Sequence, residues 1–383
     1  MQFIDPANQK FASLSPAIWR ASTVVFDTFE EFAARKERQP DGYSYGITGT
    51  PTARELERRV AALENAQHCV VVPSGQAALM VSVMAFVRGG DHLLISDSCY
   101  GALKTFARNW LSQMAVDVEF YPPTIDGGIE ALIRPNTRMI CMEAPGTVTM
   151  EMQDVAAVVR VAKKYGVKTM LDNTWASPLY FRPLDHGVDL SVEAATKMFG
   201  GHSDLLTGTI SLNNADDYAV LRETQSVMGL NTSPEDCFLV MRGLETFALR
   251  LQHQSASTRK VAAWLAGQPQ IHSVLFPVLE NDPGHDVWKK QFTGSGCLFS
   301  FIFRPGKDEA ISAFFNALNH FPIGASWGGT HSLIAYYPAS QQQARAFSPT
   351  QEAIIRISIG LEDPDLLIAD LEQALLAWEK AAG

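Results

Sequence analysis

Residues 170–204 read MLDNTWASPLYFRPLDHGVDLSVEAATKMFGGHSD, and the reading of this stretch decides the fold. A short apolar run, Thr169-Met170-Leu171, ends on a carboxylate, Asp172. A second run, from Asp189 to Thr196, ends on Lys197, 25 residues after Asp172. That interval is the length of a strand end, a crossover and a return strand. Lys197 is the only lysine between Lys168 and Lys260, and it stands just before Gly200-Gly201-His202-Ser203. An amine at a strand end near a buried acid suits covalent chemistry with a carbonyl cofactor, because desolvation depresses its pKa. A surface lysine after a strand is the plainer alternative, and spacing alone favours it.

Outward from this stretch the chain alternates. Short apolar runs at 69–72, 92–96, 116–121, 139–142, 168–171, 190–194 and 209–212 predict strands, with helices between most of them, for example 77–87 and 155–164. Several of these runs are apolar throughout, the mark of a sheet covered on both faces. The pattern predicts an α/β protein with a mainly parallel, doubly wound sheet over 50–243. Thr52-Ala53-Arg54-Glu55 has the form of a capping box opening a helix with Leu56, Val60 and Leu63 on one face. A long helix over 234–265 is expected to lead into a smaller α/β C-terminal domain, 244–383, with helices at 308–320 and 363–381 and strands at 296–303 and 353–359. In the last strand Ile355, Ile357 and Ile359 share one face, leaving Arg356 and Ser358 on the other, toward a cleft. Residues 1–49 carry several Pro and Gly and no sustained period, yet include Tyr43 and Tyr45; such an arm is expected to dock on a partner subunit.

The chain has 383 residues, which predicts two to three domains. Hydrophobic residues make up 46% and charged residues 19%, as in ordinary globular proteins. Net charge is −10, which argues against nucleic acid or an anionic membrane as the main partner. Five scattered cysteines read as reduced, buried thiols of a cytoplasmic protein. The amino terminus, MQFIDPANQK, has no signal-peptide pattern, and no apolar stretch is long enough to span a bilayer. No H-E-x-x-H, C-x-x-C, G-x-S-x-G, Walker or G-x-G-x-x-G motif occurs, so no metal is expected and hydrolase or dinucleotide chemistry gains no support.

Three further positions give the Asp172–Lys197 pair a common task. Ser74-Gly75-Gln76 follows a strand and opens a helix, so its backbone N–H groups form a candidate anion site. Tyr100, after the strand ending at Ser96, offers a flat ring for stacking. Arg356 can grip a carboxylate through two parallel hydrogen bonds. Each is weak singly; a turn and a packed tyrosine are the plainer readings. In this order, on this architecture, they are the parts pyridoxal 5′-phosphate requires: an amine, an acid for the ring nitrogen, donors for the phosphate and a ring face.

The sequence also resembles the Cys/Met-metabolism family of pyridoxal-phosphate enzymes of fold type I, and within it the bacterial cystathionine β-lyases. The resemblance covers nearly the whole chain. It rests on Arg20-Ala-Ser-Thr, Tyr45-Gly, Gly49-Thr, Pro73-Ser-Gly, Gly90-Asp-His, Glu143-Ala-Pro-Gly, Asp172-Asn-Thr-Trp-Ala, Ala195-Thr-Lys, Gly201-His-Ser-Asp, Ser326-Trp-Gly-Gly and Ile355-Arg-Ile-Ser-Ile-Gly-Leu-Glu-Asp. It implies a large cofactor domain and the following roles. Lys197 carries the cofactor and moves the substrate proton, with Tyr100 and Tyr45 as further catalytic groups. Asp172 pairs with the pyridine nitrogen, Tyr100 stacks on the ring, and Gly75, Gln76 and Thr196 hold the phosphate. Arg356 binds the carboxylate of an amino-acid substrate, assisted by Ser326 and Trp327. Tyr45 reaches into a neighbouring subunit's site, within a homotetramer of catalytic dimers. The implied reaction is α,β-elimination of L-cystathionine to homocysteine, pyruvate and ammonia, with cysteine or cystine desulfhydration alongside; γ-elimination or γ-replacement is the alternative. Glu143-Ala-Pro-Gly-Thr and Trp327 resemble the β-lyases rather than the γ-enzymes. Three positions depart from the family pattern: Ile47 where the arm usually carries an arginine that clamps the neighbour's phosphate, Ala325 where β-lyases carry tyrosine, and His331 where a glutamate is usual.

Overall fold

The structure, a computed structural model, describes residues 13–382. The signal-peptide reading of MQFIDPANQK and the first twelve residues of the expected arm lie outside the described residues.

Seven short strands come first: β1 (His68–Val72), β2 (His92–Ser96), β3 (Asp117–Tyr121), β4 (Thr137–Glu143), β5 (Lys168–Asp172), β6 (Leu190–Glu193) and β7 (Gly208–Leu212). They form one sheet in the order β1-β7-β6-β5-β4-β2-β3. β7 runs antiparallel to both its neighbours, and β6, β5, β4, β2 and β3 pair in parallel. The uninterrupted apolar character of Leu93-Leu94-Ile95 and Met139-Ile140-Cys141-Met142 follows, since all of these side chains are buried. In the register, Glu143 lies opposite Asp172 and Asp172 opposite Val192, so β4, β5 and β6 end level with one another. Ligands of open α/β sheets gather outside such carboxyl ends.

A second sheet holds β8 (Ile271–Leu275), β9 (Leu298–Phe303), β10 (Leu333–Tyr337) and β11 (Ile354–Ser358), all antiparallel, in the order β10-β11-β9-β8. Ile355 and Ile357 lie on one face of β11, opposite Phe301 and Phe299 of β9. Phe303 stacks on Trp378 of the last helix, Pro364–Ala382, with ring centroids 5.2 Å apart. Each such fully buried side chain contributes about 1.5–3 kcal/mol from its removal from water. The opposite face of β11 is covered as well, and Arg356 is only 6% exposed.

Three details differ from the sequence reading. The first long helix is Pro51–Glu64, and its cap is Thr50, whose hydroxyl accepts the Ala53 N–H, rather than Thr52. Pro51 at the first helical position fixes that start; Thr52 instead accepts the Trp19 N–H and donates to Ala17, tying the arm down. The expected helix over 234–265 is two, Pro234–Leu244 and Phe247–Ala266. At the break the buried Arg250 guanidinium donates to the Gly243 carbonyl and to the carbonyl of Met198, one residue beyond Lys197. The helix expected to 320 ends at Ala317, because the buried Asp370 carboxylate takes the N–H groups of Asn319 and His320. All five cysteines are free and buried. Among the described residues no helix is long and apolar enough to cross a membrane.

Candidate active site

A cavity of about 740 Å³ opens at the carboxyl ends of β4, β5 and β6. One wall is made of Ser74-Gly75-Gln76, Tyr100, Glu143, Asp172, Thr174, Thr196 and Lys197; the other brings Ala325, Trp327, Tyr337, Arg345 and Arg356 from the C-terminal part of the chain.

Asp172 ends β5 and Lys197 follows β6, and backbone hydrogen bonds hold the two in register. The Asn173 N–H donates to the Val192 carbonyl at 2.9 Å, and the Lys197 N–H donates to the Ala194 carbonyl at 2.8 Å. Thr174 closes the stitch: its hydroxyl donates to Asp172 Oδ1 at 2.5 Å while accepting the Ala194 N–H at 2.9 Å. Asp172 opens only part of its surface to the cavity, and its desolvation raises its carboxyl above the usual range, against the lowering effect of Thr174. Lys197 Nζ donates to Ser326 Oγ at 2.9 Å and lies 5.7 Å from the Trp327 ring centroid. Burial first, and the Arg356 guanidinium second, bring its pKa down to about 8. Gly328 (φ +81°) makes this wall possible: a Cβ there would press on Lys197 Cβ at 3.2 Å.

The anion turn is equally specific. Ser74 caps the helix Gly75–Phe86, its hydroxyl accepting the Ala77 N–H at 3.0 Å. The N–H groups of Gly75 and Gln76, ahead of that bond, take no acceptor among the described residues. They are the orphan donors a helix start offers to an anion. Gly75 is required by the chain itself, since a Cβ would stand 2.5 Å from Ala194 Cβ. The Thr196 hydroxyl donates to the Thr207 carbonyl at 3.0 Å, so it would have to release that carbonyl to serve a phosphate.

Tyr100 heads the helix Gly101–Phe106, with its ring partly open to the cavity. Its backbone N–H donates to Glu143 Oε2 at 2.6 Å. Glu143 carried no role in the sequence reading, and only the strand register reveals it as the immediate neighbour of Asp172. Burial, then the Asp172 charge, push its carboxyl up to about 8. On the opposite wall Arg356 donates to the Ala325 carbonyl at 2.8 Å and lies 5.0 Å over the Tyr337 ring, with no carboxylate partner among the described residues. Arg345, also unforeseen, is committed: it bonds Asp97 at 3.2 Å, Thr149 at 2.6 Å and Glu151 at 2.9 Å. Tyr45 does not line this cavity; it is 53% exposed on the arm. Ile47 and His331 also lie outside the lining.

The model of the Cys/Met metabolism PLP-dependent enzyme family matches residues 3–376. This chain belongs to that family. A putative cystathionine β-lyase of Rhizobium johnstonii is 42% identical over 95% of this chain and 91% of its own. An L-alanine/L-glutamate racemase of Wolbachia pipientis is 37% identical over 96% and 95%. The crystal structure of a cystathionine γ-synthase from Xanthomonas oryzae pv. oryzae, in complex with aminoacrylate and cysteine, superposes with a TM-score of 0.90 at 30% identity, covering 98% of this chain and 96% of the other. The fold is therefore that of the fold type I PLP enzymes, and the cofactor is pyridoxal 5′-phosphate. The residues present fit it as a family member's should: an amine of lowered pKa, a largely buried acid with no ion pair among the described residues, and two orphan N–H groups at a helix start face one cavity.

Proposed function

We propose that this enzyme is a carbon–sulfur lyase of the cystathionine β-lyase type, cleaving L-cystathionine to homocysteine, pyruvate and ammonia, with cysteine or cystine as further substrates. The observation that carries the reading is the placement of the Lys197 amine in one cavity with Arg356, a buried guanidinium with no carboxylate partner. Such an arginine takes the α-carboxylate of an amino acid and presents its Cα to the amine. Lys197, whose amine burial and then the Arg356 guanidinium make easier to deprotonate, takes the Cα proton; Ser326 orients it. The cofactor, when bound, supplies the electron sink, and Asp172 keeps its ring nitrogen protonated. The Cβ–S bond would then break with its electron pair leaving on the thiolate, and water would hydrolyse the released three-carbon enamine to pyruvate and ammonia. Tyr100 is assigned to the ring face, and the Gly75 and Gln76 N–H groups with Thr196 to the phosphate. Trp327 beside Lys197, together with Glu143-Ala-Pro-Gly-Thr, supports β- over γ-elimination. Tyr45, exposed and off its own cavity, is assigned with the family resemblance to a partner's cavity, within a homotetramer built of catalytic dimers. The division into arm (1–49), cofactor domain (50–243) and C-terminal domain (244–383) is proposed with it, as the two sheets fall on either side of residue 243.

The test is product analysis with L-cystathionine, cystine, methionine and O-acylhomoserines. Pyruvate from cystathionine is expected; 2-oxobutyrate instead would move the reading to a γ-enzyme. The Wolbachia relative favours one second reading, amino-acid racemisation, which would give D-alanine from L-alanine with no keto acid.

A further inference from the structure

The cavity must hold two anions at once, a phosphate and a substrate carboxylate, and the basic side chains lining it are five. Lys104 is paired with Asp97, and Arg345 with Asp97 and Glu151. Lys197 is reserved for the cofactor's carbonyl carbon. Arg356 stands on the far wall, at Ala325 and Tyr337. Arg108 remains. It lines the cavity with Gly75, Gln76, Leu79 and Thr105, and it has no carboxylate within ion-pair distance among the described residues. Its position is built by the helix that follows Tyr100: Tyr100, Lys104 and Arg108 are spaced by four residues along one face, and all three line the cavity. At Ala107–Leu111 this helix widens into a π turn, a feature frequent at functional sites. The guanidinium rests 5.1 Å over the Phe120 ring, a contact that leaves its charge unneutralised. The segment around Tyr45, Tyr43-Ser-Tyr-Gly-Ile-Thr-Gly-Thr50, which the family resemblance sends to a partner's cavity, carries no basic residue.

We propose that Arg108 supplies, within the same chain, the positive charge that neutralises the cofactor phosphate seated on the Gly75–Gln76 turn. The inference rests on placing the phosphate at that turn, and the experiment separates the two. Apoenzyme is titrated with pyridoxal 5′-phosphate and, separately, with pyridoxal, following the absorbance of the bound cofactor. In Arg108→Gln the affinity for pyridoxal 5′-phosphate is expected to fall tenfold or more and that for pyridoxal to stay within twofold, because pyridoxal lacks the group Arg108 meets. Arg108→Lys should recover part of the loss, since the charge persists. Equal losses for the two ligands, or none for either, overturn the proposal. Gln76→Pro removes one orphan N–H in the first helical turn, where that group serves no intrahelical bond. If it weakens pyridoxal 5′-phosphate selectively while Arg108→Gln does not, the phosphate is on the turn and its counter-charge is elsewhere. If neither variant discriminates the two ligands, the placement of the phosphate fails as well.

Discussion

The two walls of the cavity are held in different ways. On the strand-end wall, Asp172, Asn173, Thr174, Ala194 and Lys197 are joined by backbone or backbone-anchored hydrogen bonds across β5 and β6. On the facing wall β11 is laddered to β10 and β9, but the side chains that reach the cavity are held singly. Arg356 rests on one carbonyl and one ring, and the segment 339–353 is held to Asp97 and the 147–151 loop through Arg345 and the Phe347 N–H, with Gln342 its one buried side chain. On the proposed roles, the reacting groups sit on the wall stitched by backbone hydrogen bonds, and the substrate contacts sit where single side chains can be exchanged. A family containing lyases, synthases and racemases is understandable on those terms. Its variation is expected at positions such as Ala325 and His331, and its constancy at the stitch.

The sharpest way to break the comparison is at Lys197. Lys197→Ala should lower turnover by at least ~10³-fold, the scale of a lost general base combined with a lost covalent anchor. It should also abolish the absorbance band of the attached cofactor near the edge of the visible. A band that survives would place the attachment on another amine, the other lysine lining the cavity being Lys104. Next in size, Arg356→Ala should raise KM about 10²-fold with a smaller change in kcat, because carboxylate binding common to ground and transition states is removed. An unchanged KM would mean that Arg345 can leave Asp97 and Glu151 to do the same work.

These predictions start from residues legible in the sequence, and the reason is physical. Strands buried on both faces leave apolar runs, and a lysine or aspartate at the end of such a run stands out. What was not legible depends on pairing. Glu143 becomes a neighbour of Asp172 only through the β4–β5 register, and Arg345 finds Asp97 some 248 residues away. The role proposed for Arg108 emerges only once the other four cations lining the cavity have been given a partner or a task. The misplaced helix cap was a local matter: Thr50-Pro51 and Thr52-x-x-Glu55 both signal a start, and proline's fixed φ decides it.

A smaller effect tests the electrostatics of the strand-end wall. With Lys197 at about 8, the free amine that attacks an aldehyde falls tenfold per pH unit below that value. The rate at which apoenzyme combines with pyridoxal should therefore rise about tenfold per unit up to pH 8 and level off above it, read by stopped-flow absorbance. Because Arg356 is the second cause of the depression, Arg356→Ala should move the break to higher pH. A break near the ordinary lysine value in the wild type would mean that the amine is not desolvated.

The smallest effect lies behind the same wall. Glu64, on the helix Pro51–Glu64, is fully buried and accepts the Ser191 hydroxyl at 3.0 Å, while its second oxygen has no partner. Burial pushes its carboxyl up to about 8; burial, and then the Glu64 charge, raise Glu193 as well. A carboxyl raised in the folded state binds its proton more tightly folded than unfolded. Its contribution is complete below the unfolded value near 4.5 and is lost as pH climbs toward about 8. Urea denaturation of the wild type should show stability declining across that window, by at most ~1.4 kcal/mol per pH unit from this group. Glu64→Gln, which is neutral at every pH and keeps an acceptor for Ser191, should flatten the decline. The same slope in both proteins would show that Glu64 is solvated or paired when folded, and that the strand-end wall owes its rigidity to the backbone stitch without a neutral acid beneath it.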